Sequence, residues 1–334
     1  MTEFIGREVD FALAVEAQRG VAESAAQRTV RKVTCNLIPR AERVIDDTTF
    51  GRLEDAERVR TVRRWSEGDV TGIVHADVIG YDFLNLYGQC SSAPISDGVH
   101  GHEFTLAQNI QHPTLTGFVK DGSVRQVKIP GMVISSLELT ATTDNYLRYT
   151  KNFIGKEGVP DSAELPPLER EYDFVSRDIA VRMAPEMDSD GQLDAAPLKL
   201  KDLTLTWNPN AAADFVFGSY SPDNIHNKQF SIEGQFTRNF TDETFKDLYE
   251  SDGFRYMSID IEGEADITDG GSTPLRPKIG VLLHKIQITD WNRSSNGDEL
   301  STETVNFKAF LNTEDGEQSL VTLQNLTESY EVAS

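Results

Sequence analysis

Alternation of apolar and polar residues with a period of two dominates the chain. The clearest stretches are 127–140, 198–207, 256–267 and 319–330, where polar or acidic residues separate apolar ones. This period is typical of a strand that buries one face and exposes the other. The pattern therefore predicts a mainly β protein whose sheets each keep one wet face.

Helical spacing is confined to short stretches. Residues 77–87 place several aromatic and aliphatic side chains on one stripe, and residues 241–249 begin with Thr241 as a plausible N-cap and carry Phe245 and Leu248. An alanine-rich stretch at 20–27 is a weaker candidate for a further helix. We expect the first two helices to pack on a sandwich or half-barrel of antiparallel strands.

Six short landmarks occur twice, in the same order and at similar spacing, which favours two tandem copies of one fold. They are Arg7–Phe11 with Arg170–Phe174, Thr34–Pro39 with Thr204–Pro209, Phe50–Gly51 with Phe217–Gly218, Glu67–Thr71 with Glu233–Thr237, Phe83–Tyr87 with Phe245–Tyr249, and Gly131–Thr140 with Gly280–Thr289. Any single match could arise by chance, and two unrelated β domains are the alternative.

The duplication predicts a domain at 1–155, a linker at 156–170 and a second domain at 171–334. The stretch 155–167 is rich in proline, glycine and charge, as a linker should be. Two long polar segments, 40–60 and 185–196, interrupt the strand pattern and are expected to be loops.

The net charge of the chain limits the classes of partner that it can bind. The net charge is −22, with 54 acidic against 32 basic residues, which argues against a general nucleic-acid-binding surface. An acidic surface is compatible with DNA that passes without adhering. Arginine outnumbers lysine, and high acid content with little lysine suits a protein from a halophilic source. An ordinary acidic protein is the alternative.

Candidate chemistry is sparse, and we predict no catalytic, cofactor or metal site. Cys35 and Cys90 are too few for a disulfide framework, and neither a signal peptide nor a run of apolar residues long enough to span a bilayer is visible. The loop-like His100-Gly101-His102 segment with His112 shows no partner shell for a metal, and the acidic stretch Asp188–Asp194 lacks the spacing of a calcium loop. The tryptophans Trp65, Trp207 and Trp291 are expected to be core or interface anchors, with a sugar-stacking face as the alternative.

The opening of the chain carries a family resemblance. Ile5-Gly6-Arg7 precedes a predicted strand, and Glu16-Ala17-Gln18-Arg19-Gly20 leads into a stretch of small residues. A strand containing Glu-Gly, a short helix and Pro130-Gly131 before a long strand follow in order. This arrangement resembles the tail tube proteins, or major tail proteins, of long-tailed, siphovirus-type double-stranded DNA viruses, and the resemblance covers most of the chain.

The resemblance implies a non-enzymatic structural subunit, located in the virion tail and made in the host cytoplasm. Its fold would be a sandwich or split barrel with a flanking helix, present here twice. Such subunits form rings whose strands join into one barrel around a channel, and the rings stack into a tube. Since six folds complete such a ring, a duplicated chain favours a trimer over a hexamer. Expected partners are further copies of the chain, the tape-measure protein, the terminator or baseplate proteins, and DNA in transit, with no membrane.

Two sets of residues are candidates for these roles. Acids on the wet faces of long strands are expected to line the channel: Glu138, Asp260, Glu262 and Glu264. The first long polar segment is expected to contact the next ring: Arg43, Asp46, Asp47, Arg52, Glu54 and Asp55. The alternatives are a baseplate or connector ring protein of the same fold or, less favoured, a β-sandwich that binds carbohydrate.

Overall fold

The computed structural model describes residues 5–48, 51–53, 55–96, 98–188, 191–268 and 274–331. The protein is mainly β, with a short helix in each half. The elements of the first half are β1 Val9–Val15, β2 Arg28–Thr29, β3 Thr34–Cys35, β4 Ile38–Ile45, β5 Val59–Ile73, α1 Ile79–Tyr87, β6 Gly88–Ser96, β7 Val99–Leu106, β8 Leu115–Asp121, β9 Arg125–Thr142, β10 Arg148–Gly155 and β11 Val159–Pro160.

The second half has a similar series of elements. They are β12 Ile179–Ala184, β13 Leu200–Asn208, β14 Ala212–Asp214, β15 Asn224–His226, β16 Ser231–Asn239, α2 Thr244–Glu250, β17 Phe254–Glu262, β18 Lys278–Ser294, β19 Thr302–Ala309 and β20 Ser319–Asn325. A 3-10 turn precedes the first strand of each half, at Gly6–Glu8 and Ser176–Asp178.

The strands of the two halves are connected in the same order. In the first half the antiparallel order is β4–β5–β10–β9–β8–β1, with β3 also on β5 and β11 on β9. In the second half it is β13–β16–β19–β18–β17–β12, with β20 on β18. The helix follows β5 in one half and β16 in the other. Each strand of the second half therefore has a counterpart in the first, apart from the small β14–β15 hairpin.

The irregularities of the ladders also correspond. The β9–β10 register slips by one residue next to Phe153, and the β18–β19 register slips next to Ile288, which pairs with Phe307. Beside these bulges, Asn152 donates a hydrogen bond to Ser136 (2.8 Å) and Asn306 donates one to Asp290 (3.2 Å). Bulges re-aim side chains and fix register, so matched bulges align the two halves residue by residue.

This register corrects three of the sequence landmarks. The 3-10 turns align Gly6–Glu8 with Ser176–Asp178, so Arg7 corresponds to Arg177 and not to Arg170. The match at Gly131–Thr140 is displaced by five positions and that at Thr34–Pro39 by two. The match between Glu67–Thr71 and Glu233–Thr237 does occupy equivalent rungs, because Gly68 and Gly234 each lie opposite a phenylalanine.

Two long strands give each half its sandwich form. The first part of β9 pairs with β8 and its last part with β10, while β18 divides in the same way between β17 and β19. The last part of β9 also pairs with β13 of the second half, from Leu137 opposite Trp207 to Thr142 opposite Asp202. Eight strands thus run side by side without a break: β3/β4, β5, β10, β9, β13, β16, β19 and β18. We call this run the central sheet.

Both helices cover the apolar side of the central sheet. Almost all of α1 is buried, and it ends at Gly88, whose φ of 83° provides a left-handed C-cap. In α2, Phe245 and Leu248 are buried whereas Tyr249 is exposed, and Thr241 does not cap the helix; Asp242 accepts the Thr244 N–H instead. The alanine-rich residues 20–27 form turns and bends, not the helix that their composition predicts. No helix in the described ranges is long and apolar enough to cross a membrane.

The two halves share one continuous core. The predicted linker packs on the first half: Val159 and Pro160 pair with β9, and Thr29 donates a hydrogen bond to the Pro166 carbonyl (2.6 Å). Phe174 is fully buried in the common core. At the other end of the chain, Tyr330 packs against Gly80 of α1, where a Cβ would lie 2.1 Å from the ring. The chain therefore binds its halves together at both the middle and the end.

The first long polar segment is largely a hairpin, not a loop. Strands β4 and β5 stay paired from Ile38 opposite Glu67 to Ile45 opposite Val59, beyond the edge of the central sheet. All of β4 is exposed. We call residues 38–66 the first arm. A second arm, residues 209–230 with the β14–β15 hairpin, leaves the corresponding end of β13 and packs against the first, where the Arg64 N–H bonds the Tyr220 carbonyl (2.8 Å).

Candidate assembly and channel surface

One face of the central sheet is polar across all eight strands. Directly paired residues point to the same side of a sheet, so each rung can be followed from strand to strand. One rung reads Thr71, Thr150, Glu138, Thr206, Glu233, Lys308 and Gln287. The next reads Ile73, Arg148, Thr140, Thr204, Gln235, Asn306 and Asp290. Both rungs cross from the first half to the second without interruption.

The opposite face is apolar and closed by the helices. Leu137, Leu205 and Phe236 are among its buried side chains, and Trp207 is fully buried with its indole N–H donated to the Tyr87 hydroxyl (3.0 Å). The alternation of buried and partly exposed positions is uninterrupted along β10 and β19 and holds in β13 from Asp202 onward. The polar face is therefore a designed second surface of the sandwich and not an incompletely covered core.

Threonine, serine, asparagine and acids make up most of this polar face. Its acidic members are Glu67, Asp69, Glu138, Asp202, Glu233 and Asp290, and its basic members on the same rungs are Arg148 and Lys308. Lys308 pairs with Glu233 at 2.7 Å. Glu138 has only Thr150 and Thr206 beside it on its rung. The face is thus hydrophilic with a moderate excess of negative charge.

The central sheet has an unpaired edge at each end. In the described residues β3 and β4 pair only with β5, and the last part of β18, from Ile288 to Ser294, pairs only with β19. Between these edges the internal β9–β13 pairing joins the two halves. We call the β9–β13 pairing the internal seam. Because β18 corresponds to β9, and β3/β4 corresponds to β13, the two free edges are equivalent to the two strands that meet at this seam. An unpaired edge of this length templates pairing with another strand.

The shift in register from one strand to the next determines how far the strands of a closed barrel would tilt from the barrel axis. Following the rung from Thr71 across four strands leads to Glu233, whereas the positional equivalent of Thr71 is Thr237. The shift is four residues over four strands, or one residue per strand. With a rise of about 3.3 Å per residue and about 4.8 Å between strands, this stagger gives a tilt of about 35°. That value lies at the lower end of the tilt range of closed barrels.

Buried ion pairs attach the helices to the back of the central sheet. Lys151 of β10 contacts Asp82 of α1 at 2.5 Å, with both side chains almost fully buried. Burial raises the pKa of Asp82, and Lys151 opposes this shift. In the second half Arg238 contacts the fully buried Glu303 at 2.5 Å and lies 4.4 Å from the ring centre of Phe245 in α2. Lys151 thus contacts α1 through an ion pair, whereas Arg238 contacts α2 through the Phe245 ring.

The predicted channel acids are divided between two surfaces. Glu138 lies on the polar face of the central sheet. Asp260 and Glu262 lie on β17, which is not part of the central sheet, and Glu264 follows that strand. Each of these three is paired with a base: Asp260 with Arg182, Glu262 with Lys278 and Glu264 with Arg177. The geometry groups Glu138 instead with Asp69, Asp202, Glu233 and Asp290.

Sequence alone could not identify the additional acids, because alternation marks a wet face without saying which sheet it belongs to. A partial signal existed, since Glu67 and Glu233 occupy the repeated Glu-Gly landmark.

The predicted stacking residues all belong to the first arm. Arg43 lies on β4, and Asp46 at the start of the tip bonds Arg58 at 3.1 Å and Thr48. These contacts lower the pKa of Asp46, the Thr48 hydroxyl contributing most. Asp47, Arg52 and Asp55 are exposed, and Glu54 lies outside the described residues.

The histidines and tryptophans considered as candidate site residues mainly make structural contacts. His102 hydrogen-bonds Ser92 and Asn325, while His112 contacts the carbonyls of Leu86 and Ala107. Within the described ranges no group of three or more metal-ligating side chains is assembled, and Asp190 of the acidic stretch falls outside them. Both cysteines are free thiols. Trp207 is a core residue, and the indole N–H groups of Trp65 and Trp291 bond Glu67 and Glu303, so no shared sugar-stacking face forms.

Comparison with known protein families gives a match over most of the chain. The sequence model of a family described as phage tail tube protein matches residues 6–309. The match includes both arms and every strand of the central sheet. Curated proteins give no match.

Proposed function

The chain belongs to the phage tail tube protein family, and from this premise we propose that three copies close one ring of a tail tube. As a member of this family it is a structural component of the virion tail, made in the cytoplasm of the infected cell. The tube would belong to a long-tailed virus. The observation that carries the proposal is the central sheet, in which β9 of the first half pairs with β13 of the second and whose two ends are unpaired edges that correspond to these strands.

The β9–β13 pairing within the chain predicts which residues would pair between neighbouring copies. Glu138 pairs with Thr206 across the internal seam. Through the matched bulges Glu138 corresponds to Asn292, and through the β5 and β16 ladders Thr206 corresponds to Ile38. Asn292 of one copy would therefore lie opposite Ile38 of the next. Such a contact is heterologous, and a heterologous contact closes into a ring when the rotation between copies divides a full turn.

Three copies give a barrel of suitable size. Each chain contributes eight strands, so three chains contribute about 24, and strands about 4.8 Å apart at a tilt of about 35° give a barrel about 45 Å across between opposite backbones. Two copies would give about 30 Å by the same reckoning, which side chains from both walls narrow further. The threefold ring would contain six tail tube folds.

The polar face of the central sheet would line the channel. Its threonines and asparagines satisfy their hydrogen bonds among themselves or with water, and the unpaired carboxylates repel the phosphates of DNA in transit. Glu138 remains a proposed channel residue, whereas Asp260, Glu262 and Glu264 would lie outside the bore. The two arms of each chain would reach the adjoining ring, carrying the acidic and basic residues of the first arm to that contact. Tape-measure, terminator and baseplate proteins are the expected further partners.

Electron microscopy of the purified protein tests this proposal. We expect hollow tubes or single rings, and native mass spectrometry of isolated rings should give three chains per ring. A high-salt buffer should be included, because an excess of acid of this size opposes assembly until counterions screen it. Persistent monomers under all these conditions would contradict the tube, and six chains per ring would contradict the threefold closure alone.

A further inference from the structure

The sequence places a phenylalanine-glycine pair in each arm, Phe50-Gly51 and Phe217-Gly218, of which Phe50 lies outside the described residues. Gly51 and Gly218 have φ values of 76° and 87°, the left-handed backbone that glycine adopts readily. Phe217 is 108% exposed, and Leu53 beside the other glycine is 105% exposed. A fully exposed aromatic ring at the end of a projecting segment gains nothing from its own chain. Because the phenylalanine-glycine pair occurs in the sequence of both arms, we expect a partner that also recurs twice per chain.

The opposite end of the internal seam contains a cavity of about 330 Å³. The arms leave the central sheet beyond the Trp207 end of the β9–β13 pairing, and the cavity lies at its Thr142–Asp202 end. Ile179, Val181, Leu198 and Leu203 give it an apolar wall. A phenylalanine side chain fits within such a volume.

The charges of the two surfaces are complementary. Lys199 and Lys201 line the cavity with a single acid, Asp202, and with Arg177, which is paired with Glu264, so the margin keeps an excess of positive charge in a chain of net charge −22. The second arm carries the exposed Asp214 and Asp223 and no lysine or arginine between residues 209 and 223. An acidic arm with an apolar tip therefore matches an apolar cavity with a basic margin.

We propose that Phe217 of one copy inserts into this seam cavity of a second copy in the adjoining ring. The inference rests on the proposed tube and adds to it the residue and the receptor of the stacking contact. In a ring of three chains there would be six arms and six seams. Three of the seams are internal to a chain, and three lie between neighbouring copies. At the seam between copies the equivalent cavity forms only on ring closure, from the residues that correspond to Ala141–Thr143 and Leu198–Leu203. Rings would therefore become fully competent to stack only after they close.

Removal of the Phe217 ring is the first test. Phe217→Ala should leave rings intact and raise the protein concentration needed for tube growth about tenfold, as expected for the loss of one buried aromatic side chain per contact. Leu168→Ala, which removes an exposed apolar side chain from the segment between the halves, is the matched control and should polymerise as the wild type does. Unchanged tube growth by Phe217→Ala would overturn the proposal.

A cross-link identifies the receptor. Phe217→Cys with Thr143→Cys, in a Cys35→Ala and Cys90→Ala background, should give ladders of disulfide-linked chains when tubes are oxidised, and none when isolated rings are oxidised. Phe217→Cys with Leu168→Cys is the control and should give no ladder. Tubes whose chains stay unlinked in the first variant would place Phe217 elsewhere and overturn the proposal. Wild-type protein that forms neither rings nor tubes would instead contradict the proposed function.

Discussion

Lys151 and Asp82 form a buried ion pair in which each charge depends on the other for compensation. Both side chains lie between α1 and the back of the central sheet, where water cannot solvate either charge. Removal of one partner leaves the other charged and buried, which costs more than replacement of both by apolar groups.

Lys151→Met should accordingly lower the free energy of unfolding by about 3–5 kcal/mol. The double variant Lys151→Met/Asp82→Leu should recover most of that loss, because it leaves no uncompensated charge. Urea unfolding followed by circular dichroism, at protein concentrations below assembly, measures both. A double variant as unstable as the single one would mean that the pair contributes more than charge compensation.

Glu171 makes part of the stability depend on pH. Its carboxylate lies 3.6 Å from the Arg28 Nε and 3.6 Å from the His75 Nδ1, in the segment that joins the halves. Burial raises the pKa of Glu171 to about 7, against the opposing effect of Arg28. Burial also lowers the pKa of His75 to about 4.

The two groups act in opposite directions. The contribution of Glu171 is fully present below its unfolded pKa near 4.5 and is lost as the pH rises through about 7. That of His75 is lost as the pH falls from 6.5 towards 4. Glu171→Gln should therefore gain stability relative to wild type between pH 5 and 8, as measured by urea unfolding at both pH values. A difference that does not change with pH would contradict the raised pKa.

Two glycines of the central sheet lie opposite phenylalanines and leave no room for a Cβ. Gly234 faces Phe307, whose ring would lie 2.3 Å from an added Cβ, and Gly68 would bring a Cβ to 2.0 Å from the backbone carbonyl oxygen of Asn36. Glycine at such positions allows the close approach of another backbone or ring.

Alanine at these glycines should destabilise the fold unequally. Gly234→Ala should cost about 1–3 kcal/mol, because the Phe307 ring can shift. Gly68→Ala should cost more, because the neighbouring atom belongs to the backbone and φ is 155°. Gly6→Ala, which meets nothing within 4 Å, is the control and should be neutral. Thermal unfolding of the three variants checks the order, and equal losses at Gly68 and Gly6 would contradict it.

At the level of strands and helices, the sequence pattern predicted which elements are present better than it predicted how the two halves align. The alternating stretch at 127–140 became β9 and that at 198–207 became β13, and both helices lie where their stripes predicted. The repeat landmarks were displaced by two, five and seven residues because alternating strands resemble one another at many offsets. Bulges decide which offset is real, and a bulge has no strong signature in a single sequence.

The extent of the first arm was also beyond the pattern. Residues 40–60 are too polar to predict a strand, yet β4 is paired along its whole length while fully exposed. Apolar side chains such as Val44, Ile45 and Val59 project from it. Fully exposed strands that carry such apolar side chains are typical of surfaces that become buried on assembly.

For the whole molecule, composition indicated an acidic surface but could not locate it. Of the four predicted channel acids, Asp260 and Glu262 lie on β17 and Glu264 follows it, and all three are paired with bases. Asp69, Asp202 and Asp290 share the polar face with Glu138. Their grouping depends on ladders that join residues more than a hundred positions apart. Only the fold brings them together.

The claim that the internal seam is repeated between copies can be measured with one pair of cysteines. In a Cys35→Ala and Cys90→Ala background, Asn292→Cys with Ile38→Cys should form disulfides between neighbouring copies when rings are oxidised, giving a covalent trimer on a non-reducing gel. Glu138→Cys with Thr206→Cys, the equivalent pair of the internal seam, is the control and should form a disulfide within single chains. A control that closes while the Asn292 and Ile38 variant stays monomeric in assembled rings would contradict the account.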